Sequence, residues 1–401
     1  MHFILRSILK KTELLLIIEV HMRQRKHCGI LRNEITSPKG KSIMKNKIGY
    51  AVCGLGVGRA HCDAAIASEN AELVAVCDLI PEKMEKIAAR QPGLRMYTEF
   101  DELLADPDVQ IISICLPSSM HADFAVRALH AGKNVLVEKP IDITPDAAIR
   151  IEKARIETGL RAGVIHQNRF NLDMQLIRRA LDAGRFGNLT LGTFAVKWYR
   201  EQAYYEGWHG TWAVDGGGSL MNQAVHTVDL MQWFMGDVAS VTSHTGIFTH
   251  DIETEDETVS IIKFKSGALA TFVSSTNCYP GVSTDIQLYG TNGTVEADQD
   301  VLKTWKFKDF DEDFAESMDI DAFDAAEEEE FMLKKYGGGN SSAAGGDPNV
   351  LTGHRYMVED MILAVRDGRD PAILPMEAIK SVRIVNAVYE SARTGKTVYF
   401  D

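Results

Sequence analysis

Asn134-Val135-Leu136-Val137-Glu138-Lys139-Pro140 is the stretch from which the rest of this chain can be placed. Its short apolar run reads as a buried strand that ends in an acid, a base and a proline. In an open parallel sheet, ligands bind outside the carboxyl ends of the strands, so Lys139 is expected to project into such a crevice. Pro140 has no N–H and a fixed φ, which sets the angle at which the backbone leaves the sheet. It also keeps Lys139 out of helical geometry. Taken alone, a lysine ending a strand is a surface residue. The flanking segments change that reading.

Upstream, Ile48 to Cys53 reads as a buried strand followed by Gly54-Leu55-Gly56-Val57-Gly58-Arg59-Ala60-His61, which opens a helix. Glycines in such a turn let a pyrophosphate approach backbone N–H groups at a helix N-terminus. The third glycine, Gly58, comes one place early, and Arg59 occupies its usual slot. A second strand, Leu73 to Cys77, ends at Asp78, at about the 20-residue spacing expected for a ribose-binding carboxylate. That acid favours NAD over NADP, although Arg59 could accommodate a 2′-phosphate. A third apolar run, Val109 to Leu116, leads into Pro117 and His121. His121 either lines a cofactor crevice or caps a helix. Strands alternating with helical patterns from residue 48 to about 165 predict βαβ units and a parallel sheet.

After Arg161–Ile165, the last strand of this region, the texture changes. Long alternating strands at 189–199, 238–248, 257–265, 268–275 and 285–289 predict a large, mostly antiparallel sheet in an α+β domain. Within it, Gly216-Gly217-Gly218 precedes a predicted helix over 219–234, on which Asn222 and His226 share a face. The glycines permit close backbone approach. An imidazole suits the removal of a hydroxyl proton near neutral pH. The expected organisation is an N-terminal extension over 1–46, a Rossmann dinucleotide-binding domain over 47–166, and an α+β substrate and oligomerisation domain over 167–401. Residues 325–350, acidic and then glycine-rich, are expected to form a mobile loop.

The chain has 401 residues, 45% hydrophobic and 25% charged, with a net charge of −13. This composition supports two domains and argues against nucleic-acid or anionic-membrane partners. Six cysteines without metal-binding spacing fit a reducing cytoplasm, and no metal site is expected. The apolar run Leu14–Ile18 is too short to cross a bilayer. Met44 is the expected natural start, with residues 1–43 dispensable.

Together these segments resemble the Gfo/Idh/MocA oxidoreductase family over about residues 47–401. The resemblance rests on Gly54-Leu55-Gly56 with His61, on Glu138-Lys139-Pro140, on the Gly216–Asp229 segment, and on Gly353-His354 with the C-terminal Glu390–Lys396 pattern. It implies a nicotinamide cofactor, NAD rather than NADP, and hydride transfer at a sugar or polyol carbon. It implies Lys139, His226 and Asn222 as catalytic residues, with Lys139 holding the reacting hydroxyl and His226 accepting its proton. Cofactor contacts are expected from Gly54, Gly56, Val57, Gly58, Asp78, Leu116, Pro117, His121, Glu138 and Lys139. Substrate contacts are expected from Arg169, Tyr199, Arg200 and Asn222. Many family members carry Asp where Asn222 stands. The Asn222-Gln223-x-x-His226 version is similar to the branch that oxidises the 3-hydroxyl of UDP-linked N-acetylhexosamines and their uronic acids. A free-sugar or polyol dehydrogenase, and an NAD-binding regulator without turnover, are the alternatives. A homodimer or homotetramer is expected.

Overall fold

The computed structural model describes residues 47–319, 324–336 and 353–401. The expected start at Met44, the extension before it and the glycine-rich stretch 337–346 lie outside the described residues.

The first half alternates strand and helix: β1 (Ile48–Cys53), α1 (Gly58–Ala67), β2 (Ala71–Cys77), α2 (Pro81–Ala88), β3 (Arg95–Tyr97), α3 (Phe100–Ala105), β4 (Ile111–Ile114), α4 (His121–His130), β5 (Asn134–Val137), α5 (Pro145–Thr158) and β6 (Ala162–Val164). The six strands are parallel, in the order β3-β2-β1-β4-β5-β6. This is the Rossmann arrangement, and its strand order reverses between β1 and β4. Helices cover both faces, so β1 and β4 are buried along their whole length. That is why these strands are continuous apolar runs. Local chemistry sets the helix ends. In α5, the Thr144 hydroxyl accepts from Ala147 N–H, Pro145 opens the helix, and left-handed Gly159 closes it.

The second half contains α6 (Leu172–Asp182), β7 (Leu189–Lys197), α7 (Val225–Met235), β8 (Val238–Gly246), β9 (Glu257–Phe264), β10 (Leu269–Ser275), β11 (Ser283–Gly290), β12 (Gly293–Asp298), β13 (Val301–Phe307), α8 (Glu312–Met318), α9 (Ala325–Tyr336), α10 (Gly353–Asp367), α11 (Pro375–Thr394) and β14 (Val398–Tyr399). Its eight strands run β13-β12-β11-β7-β10-β9-β8-β14. All neighbours are antiparallel except β7 and β10. One face packs on helices, and burial alternates along β9 and β10 as expected for a one-sided sheet.

Two expectations change. Part of the segment expected to be a mobile loop is helix α9, held by Glu328. This acid is fully buried, pairs with Arg185, and accepts from Trp305 Nε1–H at 2.8 Å. Second, the chain after residue 167 does not serve the second core alone. Met357, Val358, Met361 and Ile362 of α10, with Ile373 and then Ala378, Ile379 and Val382 of α11, pack into the core of the first sheet. Ile384, Val385 and Val388, further along α11, belong to the second core. One helix therefore straddles both cores.

Candidate active site

The turn after β1 shows what each glycine is for. A Cβ on Gly54 would sit 2.3 Å from Cys115 O, and Gly54 has φ +90°. A Cβ on Gly58 would meet Val52 Cγ1 at 2.8 Å, so this glycine brings α1 close to β1. Gly56 is different, because nothing lies within 4 Å of the position its Cβ would take. No packing demands a glycine there, whereas an approaching pyrophosphate does. Exposed Val57 provides no side-chain cap, and the first turn of α1 has no acid. Its N–H groups are thus left for an anion. Asp78 braces the turn: its Oδ2 accepts from Leu55 N–H at 2.6 Å and its Oδ1 from Ile80 N–H at 2.9 Å. Each oxygen keeps an acceptor site for a ribose hydroxyl. Half-buried Leu116 and Pro117 follow β4 across the reversal point. These residues fit NAD.

Two of the residues expected at the cofactor have side chains tied into the protein itself. His121 is buried, with Nδ1 at 2.7 Å from Pro140 O and Nε2 at 2.8 Å from Leu116 O. It brackets two loops and offers no free nitrogen. Glu138 is 2% exposed. Its Oε1 accepts from His61 Nε2 at 2.9 Å and His354 Nε2 at 3.0 Å, and its Oε2 accepts from Lys139 N–H at 3.0 Å. Burial raises the Glu138 pKa, but the hydrogen bonds from His354 and His61 outweigh it and hold the carboxyl well below its ordinary value. The chain continues through His61 Nδ1 to Ser113 Oγ at 2.8 Å and on to the Tyr50 hydroxyl. Glu138 is an ionised buried anchor that fixes the backbone of Lys139. Among the described residues, His61, Glu138 and His354 have ligand-type atoms within 4.8 Å of one another. Those atoms are hydrogen-bonded to each other.

Lys139 extends from this anchor and donates from Nζ to the backbone carbonyl of Asn222 at 3.2 Å. Burial lowers its pKa, and the Glu138 and Asp215 carboxylates oppose the shift. Asn222 does not share a helix with His226 as expected. Residues Ser219–Gln223 form a π turn, in which Ala224 N–H reaches back to Ser219 O at 2.9 Å, and α7 starts only at Val225. The Asn222 amide is held in place: Nδ2 donates to Asp215 Oδ1 at 2.8 Å and His209 Nδ1 at 3.1 Å, and Oδ1 accepts from the Tyr204 hydroxyl at 3.2 Å. Its backbone carbonyl holds Lys139, and its Oδ1 keeps a second acceptor site. The carboxylate absent at position 222 stands nearby at Asp215, which is 1% exposed. Sequence reasoning missed Asp215, His209 and Tyr204. Their only sequence signal was their closeness to the Gly216–Gly218 run.

His226 is half-buried, and its Nδ1 is buried with no hydrogen-bond partner. Burial pushes its pKa well below the ordinary imidazole value, and Lys139 and His166 add to the effect. The ring is thus neutral at physiological pH. Tyr199 packs edge-on against Tyr279 at 5.1 Å, and the Arg200 guanidinium lies over Trp198 at 5.1 Å and Tyr204 at 5.3 Å. These form an aromatic, basic wall next to Asn222. Arg169 is not on that wall. It is 5% exposed, bidentate to Asp229 at 2.7 and 2.6 Å, and bonded to Glu377 at 3.1 Å. Its Nε and Nη2 donors are thus taken by carboxylates of the protein.

A nucleotide-binding parallel sheet, with a lysine and a neutral imidazole near its carboxyl edge, defines an NAD-dependent oxidoreductase. Comparisons with known proteins agree. The NAD-binding Rossmann fold of the GFO_IDH_MocA oxidoreductase family matches residues 48–166, and the GFO/IDH/MocA C-terminal domain matches residues 174–296. The chain belongs to the Gfo/Idh/MocA family. The WlbA dehydrogenase of Bordetella pertussis, solved with NADH and UDP-GlcNAcA, is 29% identical with a TM-score of 0.76, covering 88% of this chain and 98% of that one. The WlbA dehydrogenase of Chromobacterium violaceum, solved with the same ligands, is 29% identical with a TM-score of 0.78, covering 91% and 99%. Inositol 2-dehydrogenase of Rhizobium meliloti is 27% identical over 255 residues, 62% of this chain and 75% of that one.

Proposed function

We propose that this enzyme transfers hydride between NAD and the 3-hydroxyl carbon of a UDP-linked N-acetylhexosamine or its uronic acid. The observation that carries the chemistry is the Lys139 ammonium, held at the Asn222 carbonyl and near enough to His226 to favour its neutral imidazole. Bound NAD accepts or returns the hydride at its nicotinamide C4. A secondary alcohol releases hydride only when its O–H proton also leaves, and His226 Nε2 takes that proton. Lys139 holds the hydroxyl and stabilises the developing alkoxide. The nucleotide-sugar assignment is supported by the Arg200, Tyr199 and Tyr204 wall, which suits an aromatic base and its phosphates. The two WlbA relatives support it as well. A polyol dehydrogenase is the second reading, favoured by the likeness to inositol 2-dehydrogenase.

The test is NAD reduction, followed by nicotinamide absorbance, with UDP-N-acetyl sugars, their uronic acids, free sugars and inositols. Turnover only with UDP-linked sugars supports the assignment. Turnover with free sugars or inositols alone moves it to the second reading.

The same proposal makes the enzyme a homodimer or homotetramer, built on the open face of the second sheet, where Leu191, Val259, Ile261 and Leu269 are exposed. Light scattering that shows a monomer would overturn this. A reducing cytoplasm suits Cys53, Cys62, Cys77, Cys115 and Cys278, which are all free. Among the described residues, no helix is long and apolar enough to cross a membrane.

A further inference from the structure

His166 stands where the chain leaves β6, and the reading above gives it no role. It is 1% exposed, and neither ring nitrogen has a hydrogen-bond partner. A buried histidine with both nitrogens unsatisfied is costly, since each polar atom loses water without compensation. On one side of the ring, Nδ1 lies 3.6 Å from Asp229 Oδ2. Asp229 is itself fixed by Arg169. One turn before Asp229 on α7 stands His226, whose Nδ1 is the third buried ring nitrogen without a partner.

The tautomer of His226 connects these observations. If Nε2 is to accept a proton from substrate, the neutral ring must carry its own proton on Nδ1. A buried Nδ1–H needs an acceptor, and its own helix does not provide one. We infer that His166 is that acceptor, forming an Asp229–His166–His226 chain that holds the base in its reactive tautomer. In this chain His226 Nδ1–H donates to His166 Nε2 across one bridging water. His166 Nδ1–H in turn points to the Asp229 carboxylate. This rests on the reading of His226 as the base. His166 is a positioning residue, since it acts only through His226.

The surrounding charges are compatible with this polarity. Lys139 and Glu138 face His226 from the edge of β5, and His354 faces it from α10. Arg169, Asp229 and Glu377 surround His166. Burial lowers the His166 pKa, while the Asp229 carboxylate opposes that shift. Both rings are therefore neutral when substrate arrives, and each can donate one N–H and accept at the other nitrogen. When His226 takes the hydroxyl proton on Nε2, its Nδ1–H remains in place, and the positive charge stays on that ring, stabilised by the hydrogen-bonded chain that ends at the Asp229 carboxylate.

The test uses the full chain with ¹⁵N-labelled histidine, with His226→Asn assigning the signal. Two-bond ¹H–¹⁵N spectra of the wild type are expected to show His226 protonated on Nδ1. His166→Phe, which removes both nitrogens and keeps the ring, should shift His226 towards the Nε2–H form. It should also lower kcat about 10- to 100-fold, part of the roughly 10²–10⁴ that a general base supplies, without changing the KM for NAD. His166→Gln, which keeps one acceptor and one donor, should restore both the tautomer and most of kcat. An unchanged His226 tautomer in His166→Phe overturns the inference. So does a His166→Phe whose kcat falls only in proportion to lost folded protein, or a His166→Gln no better than His166→Phe, since either is a structural role. If His166→Phe does not fold, His166→Asn, too short to bridge, takes its place with the same two outcomes. The spectra need no substrate, so a failed substrate assignment leaves this test intact.

Discussion

Lys139 and His226 sit in the same cleft and are both pushed towards neutrality by burial, yet they end in different states. Glu138 and Asp215 oppose the loss of charge on Lys139, whereas Lys139 itself reinforces the neutral form of His226. Environments that separate two pKa values assign the roles of acid and base. His226→Ala should lower kcat by roughly 10²–10⁴ while leaving NAD affinity unchanged, measured by steady-state kinetics and cofactor titration. Lys139→Met removes the positive neighbour, so the His226 pKa should rise towards its ordinary value. An imidazole NMR titration of the variant reads this without turnover, and an unmoved titration would refute the coupling. Gly56→Ala separates binding from folding in another way. No atom lies within 4 Å of the new methyl, so the melting temperature should barely change. The affinity for NAD should nevertheless fall at least about 10-fold, since the methyl would occupy the path of the pyrophosphate. Isothermal titration of the folded variant decides.

Among the elements, the π turn Ser219–Gln223 depends most on its surroundings. Glu255 lies beneath it, 3% exposed, accepting from Gly218 N–H at 3.0 Å, Leu220 N–H at 2.8 Å and the Tyr389 hydroxyl at 3.1 Å. A Cβ on Gly218 would sit 1.8 Å from Glu255 O, and a Cβ on Gly217 would sit 2.1 Å from the Tyr389 hydroxyl. The glycines therefore serve this packing. Burial raises the Glu255 pKa to about 7, even against its hydrogen bonds. Between pH 4.5 and 7 the folded state thus holds a proton that the unfolded chain has lost. The Glu255 contribution to stability is greatest below pH 4.5, declines as the pH rises to about 7, and then levels off, by at most about 3 kcal/mol. Asp173 and Asp300, each raised to about 6, act in the same direction. Glu255→Gln should flatten, without abolishing, this fall in stability. Chemical denaturation at pH 5 and pH 8 measures the difference, and equal slopes in both proteins would sink the idea.

What was legible in the sequence follows from the same physics. β1, β4 and β5 are covered on both faces, so their apolar runs and the glycine turn between β1 and α1 could be read directly. β12 and β13 were not read, because their outward positions carry Glu296, Asp298, Lys303 and Lys306, which blur the pattern. Lys139 and His226 were found because each closes or opens a recognisable element. The ion pairs of Arg169 left no local signal because its partners, Asp229 and Glu377, are 60 and 208 residues away. The break at Ala224 was missed because the hydrophobic spacing of a π turn differs from that of a helix by a single residue.

At the scale of the molecule, the two sheets share a C-terminal segment. Met361 meets the first sheet at Gly163, where even an added Cβ would come within 3.4 Å of the Met361 sulfur. Met361→Ala should cost about 2–5 kcal/mol, the range for truncating a buried methionine, and should weaken the nucleotide-binding half although it lies far along the chain. Residues 47–166 produced alone should show no cooperative thermal transition, because the core they build is closed by Met357–Val382. A sharp calorimetric peak from that fragment would contradict this.

The helix that straddles both cores also has a consequence for synthesis. A ribosome completes the sixth strand of the nucleotide-binding sheet long before it makes α11. At about 5–20 residues per second, that sheet waits on the order of 10–40 s for the side chains that cover it. During this interval its uncovered surface is open to chaperones, and folding of this half is finished only once α11 has been made.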